Sequence, residues 1–212
     1  MVFRDRFDGA EQLAEKLGAY KGSKDALILA VPRGGLQVGN ILAKELDLPL
    51  DIIIVKKIPH PGNPEFAIGG VGINGHIVNE ELVKKEGLTK AYIYQEIRDL
   101  TDSIKDKYRK YRGDKKPPEL KDKIVILTDD GIATGYTLLA AVDLIRKESP
   151  KKIVLAIPVA AVDSLGQFRG KVDEIICVDE PFSFLAVSQF YESFPEVNDE
   201  EAIKLLQEKW KR

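Results

Sequence analysis

Two carboxylates stand side by side where an apolar run gives way to a turn: Ile124-Val-Ile-Leu-Thr-Asp-Asp-Gly-Ile-Ala-Thr-Gly-Tyr-Thr137. The order is an apolar strand, the pair Asp129-Asp130, a turn of small residues, and a helical pattern from about Gly135 to Glu148. In an open α/β sheet, ligands bind beyond the carboxyl ends of the strands. A helix start with small flanking residues presents free N–H groups and the positive end of its dipole, which suits a phosphate. Two carboxylates beside that phosphate can accept hydrogen bonds from sugar hydroxyls or hold Mg²⁺ through water. A phosphate next to vicinal hydroxyls is a ribose 5-phosphate.

Two other segments could meet an anion. Pro32-Arg33-Gly34-Gly35 follows an apolar run, and two glycines at a strand-to-helix turn let the backbone approach a charged group closely. Lys56-Lys57 follows the next apolar run, with His60-Pro-Gly62 just beyond. His60 and His76 are the only histidines; neither has a second His or Cys at metal-ligand spacing, so neither is assigned a metal.

The elements that must position these residues alternate along the chain. Ala26 to Val31, Asp51 to Val55, Ile124 to Thr128, Ile153 to Ile157 and Glu174 to Val178 are short apolar runs without polar alternation. Helical patterns at about 37 to 46, 90 to 112, 135 to 148 and 162 to 169 lie among them. Such runs separated by helices predict a mostly parallel, five-stranded, doubly wound α/β sheet buried on both faces. Residues 56–79 break the pattern with prolines and glycines. Asn74-Gly75, flanked by residues 67–73 and 76–79, predicts a type I′ hairpin, so this segment is expected to be a mobile loop plus an antiparallel hairpin. Residues 180–212 are expected to form a small hood and a last helix from 199 to about 209, N-capped by Asp199.

Composition narrows the function. The 212 residues carry a formal charge of −2, with 44% hydrophobic and 31% charged residues, as expected of one globular domain spanning 1–212. No general basic face for nucleic acid or a membrane surface is suggested. The locally basic run Lys105 to Lys116 reads as a solvated helix end. The single cysteine, Cys177, excludes an intrachain disulfide and sits in an apolar run as a small hydrophobe. No secretory signal and no apolar stretch of about 18 residues is present, so the chain is read as cytoplasmic.

Asp129-Asp130-Gly131-Ile132-Ala133-Thr134-Gly135-Tyr136-Thr137 resembles the signature of the type I phosphoribosyltransferases, which bind 5-phosphoribosyl-1-pyrophosphate (PRPP). The resemblance implies that Asp129 and Asp130 bind the ribose hydroxyls and, through water, Mg²⁺. It implies that Gly131, Ala133, Thr134, Gly135, Tyr136 and Thr137 surround the 5-phosphate. Arg33, Gly34 and Gly35 match the family's pyrophosphate loop, where a cis peptide is common, and Lys56, Lys57 and His60 match the start of its closing loop. Arg33 and Lys57 would then act catalytically on the leaving pyrophosphate.

Ala133 stands where many purine-specific members carry an aspartate, which sets this chain apart from the hypoxanthine- and guanine-type enzymes. Residues 56–69, with Ala186-Val187 and Phe190-Tyr191-Glu192-Ser193-Phe194, resemble one subgroup whose acceptor is unassigned. Val159, Phe182, Phe190 and Tyr191 are the candidate acceptor-binding residues, with a core-packing role as the alternative for the aromatic ones. The implied activity is Mg²⁺-dependent transfer of the phosphoribosyl group to a base-like nitrogen acceptor, with a homodimer as the possible assembly. A non-catalytic PRPP- or nucleotide-binding regulator is the second reading. A receiver-like signalling domain also ends a strand in Asp-Asp, but the later strand ends Ile157-Pro158 and Val178-Asp179 offer no lysine of the kind it needs.

Overall fold

The core strands are apolar on both faces because two separate cores need them. The computed structural model describes residues 2–210. Its main sheet contains β1 (Ala26–Ala30), β2 (Leu50–Ile52), β6 (Ile124–Thr128), β7 (Lys152–Val159) and β8 (Glu174–Asp179). The spatial order is β2-β1-β6-β7-β8, and every neighbouring pair is parallel. Successive strand residues point to opposite faces. Ile28, Ala30, Ile126, Val154 and Ala156 join the core under helices α1 (Arg6–Lys16), α2 (Gly34–Glu45), α4 (Lys90–Arg112) and α7 (Asp199–Trp210). Leu27, Leu29, Val125, Leu127, Ile153 and Leu155 join the opposite core, under α5 (Tyr136–Lys147) and α6 (Val162–Gly166).

The chain winds outward in two directions from the β1/β6 junction. β1 leads through α2 to β2 on one side, and β6 leads through α5 to β7 and β8 on the other. The loops leaving β1 and β6 therefore diverge and open a crevice at their carboxyl ends. That crevice falls between Arg33-Gly34 and Asp129-Asp130.

Residues 56–78 differ from the sequence expectation of a loop plus a hairpin. They form a second, three-stranded antiparallel sheet of β3 (Lys56–His60), β4 (Asn63–Gly72) and β5 (Gly75–Val78), followed by the short α3 (Glu80–Lys85). Pro59 lies in an edge strand, at register shifts on both its sides, which is where a sheet tolerates a residue without an N–H. The β4–β5 turn is also displaced by one residue. Gly72 pairs with Gly75, so the loop is Ile73-Asn74, and neither residue takes a positive φ; the turn is not type I′.

Helix α1 is not among the elements expected from the sequence. Asp5 caps it by accepting the Asp8 N–H, and its buried face is Arg6, Gly9, Ala10, Leu13 and Ala14. The spacing i, i+3, i+4, i+7, i+8 is that of an amphipathic helix, with an arginine at its head. At the other end of the chain, Asn198 rather than Asp199 caps α7, by accepting the Glu201 N–H at 2.8 Å. Asp199 instead accepts hydrogen bonds from Lys110 and Tyr111 of α4, both at 2.7 Å. The tail is thereby fastened across α4 and α2, where Asn40 also donates to the Leu205 carbonyl at 2.8 Å.

Candidate active site

At the end of β6, Asp129 turns its Oδ1 back to accept the N–H of Asp130 at 2.9 Å, and the Gly35 N–H also donates to its carboxylate. Asp130 Oδ2 accepts the Arg6 Nε at 2.7 Å. Arg6 is 4% exposed, lies 3.6 Å above the centre of the Phe194 ring, and also donates to the Pro195 carbonyl at 2.9 Å. One arginine thus serves two adjacent carboxylates. Burial, then the charge of Asp130, holds the proton affinity of Asp129 well above the usual carboxylate range. Burial also raises that of Asp130, and the Arg6 hydrogen bond pulls it back. Burial is the main cause at both carboxylates, and the neighbouring carboxylate adds to it at Asp129.

Opposite the pair, the start of α2 comes very close. A Cβ on Gly34 would collide with Asp130 Oδ2, and one on Gly35 would come within 2.9 Å of Asp129 Cα. Only glycine lets the two loops touch here. The Pro32–Arg33 peptide is cis. Arg33, expected in a pyrophosphate loop, donates to Glu196 at 2.7 Å.

On the far side of the pair, residues 131–135 run into α5. Ile132 is pinned to β7 through its N–H to Val159 and its carbonyl to Ala161. Ser164 donates to the Ala133 carbonyl. Gly135 is the N-cap at φ 77, a left-handed conformation that glycine adopts without steric cost, and it offers no side-chain cap. The first N–H groups of α5 thus lack a capping side chain. Ala133, Thr134, Tyr136 and Thr137 are exposed around them, while Gly131 is half-buried behind. This end of the helix can accept a phosphate.

A cleft of about 570 Å³ opens beside the carboxylates, walled by Arg6, Arg33, Gly34, Lys107 and the tail residues Phe194 to Val197. Lys56, Lys57 and His60 do not line it. Lys56 donates to Ser103 of α4 at 2.6 Å, and His60 accepts the Gly62 N–H at 3.1 Å. The acceptor candidates also separate. Val159, Phe190 and Tyr191 are buried together with Phe3. Tyr191 stacks on Phe194 at 5.1 Å and donates its hydroxyl to the Asp130 carbonyl at 2.6 Å. Their faces are used in packing, so they brace the acidic turn instead of offering a stacking surface; Phe182 is 96% exposed.

Sequence reasoning missed Arg6, Lys107, Phe194 and Glu196. The first two carried a usable signal: Arg6 is a cation on the buried stripe of an amphipathic helix and Lys107 one at the edge of such a stripe. Cys177, read as a buried hydrophobe, is half-buried, and burial pushes its thiol up to about 12. No helix among the described residues is long and apolar enough to cross a membrane.

The fold is a doubly wound α/β sheet with paired carboxylates and glycine-rich backbone at its switch point. Residues 4–191 match the family model described as the phosphoribosyl transferase domain, and the chain belongs to that family. A Mycobacterium tuberculosis H37Rv protein, provisionally named a phosphoribosyl transferase, is 34% identical over 206 residues. That match takes in 97% of this chain and 46% of the relative, so the chain spans about half the length of the curated relatives it matches. The crystal structure of TT1426 from Thermus thermophilus superposes with a TM-score of 0.89 at 32% identity, over 98% of this chain and 99% of that one. A shorter stretch of 58 residues is 41% identical to a uracil phosphoribosyltransferase of Aquifex aeolicus, covering 27% of this chain and 28% of that protein.

Proposed function

We propose that this chain moves the 5-phosphoribosyl group of PRPP to a nitrogen acceptor of the nucleobase kind and releases pyrophosphate. The observation that carries this reading is geometric: Asp129 and the Arg6-paired Asp130 stand side by side at the end of β6, between the close-packed Gly34-Gly35 backbone and the uncapped start of α5. In this reading the carboxylates accept hydrogen bonds from the ribose 2- and 3-hydroxyls. Gly131, Ala133, Thr134, Gly135, Tyr136 and Thr137 surround the 5-phosphate. Arg33, Gly34 and Gly35 hold the pyrophosphate, which competes with Glu196 for the Arg33 guanidinium.

Mg²⁺ fits this donor set. Asp129 accepts backbone N–H groups and has no side-chain cation bonded to it among the described residues, so a nearby cation would offset its charge. Mg²⁺ keeps most of its waters and commonly binds through one or two carboxylates plus substrate phosphates. Among the described residues no group of three or more His, Cys, Asp or Glu could hold a metal, so phosphates and water would complete the shell. When bound, the ion would offset the charge that develops on the leaving pyrophosphate.

In the reaction, the bond from C1 to the pyrophosphate oxygen breaks and its electron pair stays on pyrophosphate. The acceptor nitrogen forms the new bond to C1, and its proton leaves to solvent. The chain's part is to hold C1 and the acceptor in line and to stabilise charge without a covalent intermediate. Ala133 offers no proton-accepting side chain, so acceptors that ionise readily are favoured.

The test is pyrophosphate release from PRPP across a panel of nucleobases, with uracil included because of the short Aquifex likeness. Release with at least one base, lost in Asp130→Asn, is expected. Tight PRPP binding with no release for any base would move the assignment to a non-catalytic binding module.

A further inference from the structure

The cleft beside the carboxylates is walled by three cations, and two of them are committed. Arg6 is held by Asp130 at 2.7 Å, and Arg33 by Glu196 at 2.7 Å. Lys107 of α4 is different. Among the described residues it has no hydrogen bond and no ion pair; its ammonium lies 5.9 Å from the centre of the Tyr111 ring. The carboxylate whose field favours it, Asp199, is already held by Lys110 and Tyr111. Arg33, Lys56 and Lys110 add like charge around it, and partial burial with this repulsion makes it a weaker base than an ordinary lysine.

Its place on the helix is equally informative. Ile104, Tyr108 and Tyr111 form the buried stripe of α4, and the half-buried Lys107 lies at its edge, three residues after Ile104 and four before Tyr111. Packing alone would favour an apolar residue at that position. A half-buried cation without a counter-ion costs stability unless something supplies the missing charge. What enters this cleft meets Arg33, the backbone at Gly34 and Lys107 together, which is the pattern for a small polyanion.

We propose that Lys107 engages the pyrophosphate of PRPP, so that the cation serving the leaving group comes from the fixed helix α4 and not from residues 56–60. This rests on the assignment of PRPP as substrate. The loop expected to take the 5-phosphate, residues 134–137, does not line this cleft. Lys107 should therefore distinguish pyrophosphate from ribose 5-phosphate.

The experiment is calorimetric titration of pyrophosphate and, separately, of ribose 5-phosphate, both with Mg²⁺, into the full chain. The variants are Lys107→Gln, Lys107→Arg and, on the exposed side of the same helix, Lys105→Gln. The expected result is at least tenfold weaker pyrophosphate binding in Lys107→Gln with ribose 5-phosphate unchanged within twofold. Lys107→Arg restores most of the loss, and Lys105→Gln behaves as wild type. Undiminished pyrophosphate binding in Lys107→Gln overturns the assignment and leaves the PRPP reading standing. Equal loss of both ligands makes Lys107 a packing residue and overturns it as well. A wild type that binds neither ligand overturns the PRPP reading itself, and the Lys107 assignment with it.

Discussion

Among the described residues two arginine–aspartate pairs are buried, and they have different surroundings. Arg112 and Asp51 meet beneath the end of β2, with side-chain exposures of 5% and 10%. Arg6 and Asp130 meet at the end of β6, with exposures of 5% and 16%. At the first site Arg112 pairs with a single carboxylate, and Lys115 adds positive charge nearby. Asp51 also accepts the Ile52 N–H at 2.7 Å, and Tyr108 ties α4 to the same strand end by donating to the Ile52 carbonyl at 3.2 Å. At the second, a second carboxylate, Asp129, stands beside the pair, and both carboxylates line a cleft. Burial raises the proton affinity of Asp51 too, against the pull of Arg112, so a shifted carboxylate alone does not mark the functional end. The second carboxylate beside the pair, facing the glycine-rich backbone of the next loop, does.

The largest effect should come from breaking the first pair. Arg112→Met leaves Asp51 buried without its counter-charge and should cost about 3–5 kcal/mol in urea unfolding. Adding Asp51→Asn should recover much of that loss, because no buried charge then remains. If the single variant proves as stable as wild type, the two sites do not differ in the way described.

Next comes the contact between the two loops. Gly34→Ala would force Asp130 away from Arg6 and should weaken PRPP binding at least tenfold in calorimetry, whereas Gly18→Ala, with nothing within 4 Å of its added Cβ, should bind as wild type. Equal binding by both variants would separate ligand affinity from the geometry of Asp130.

The smallest effect belongs to a third, half-buried pair, Lys152 and Glu174, at 2.5 Å with Tyr20 also donating to the carboxylate. The Lys152 hydrogen bond, then that of Tyr20, lowers the Glu174 proton affinity below its ordinary value. A lowered folded-state value stabilises the protein above the ordinary carboxylate range and loses that contribution as pH falls through the lowered value. Glu174→Gln should therefore cost less than about 1 kcal/mol at neutral pH, since solvent screens the pair. The deficit in thermal unfolding should shrink as the medium is acidified below the ordinary carboxylate range. A deficit independent of pH would assign the loss to packing.

The same contrast explains what is legible in the sequence. Ile124 to Thr137 is readable because strand, acids, turn and helix start are contiguous, and local chemistry constrains them all. The parallel sheet is readable because strands serving two cores lack polar alternation. Helix α1 escapes notice although its stripe is regular, because Arg6 and Gly9 dilute the apolar signal at its start. The β3 strand is hidden by Pro59, which its edge position accommodates. Glu196 has no local signal at all, and Phe194 is legible only as part of the tail motif, since only tertiary folding brings the tail to the cleft. Arg6 and Lys107 fall in between: cations on buried stripes or at their edges can be seen in the residue pattern, but the groups they meet across the cleft cannot.

The most direct test of the account is calorimetric titration of PRPP, with and without Mg²⁺, into wild type and Asp130→Asn. The account predicts Mg²⁺-assisted binding that weakens by about 1.5–3 kcal/mol in the variant, the value of a hydrogen bond to a charged group. Wild-type and Asp130→Asn proteins that bind PRPP equally, or a wild type that does not bind it, would contradict the assignment of the β6 carboxylates to the ribose.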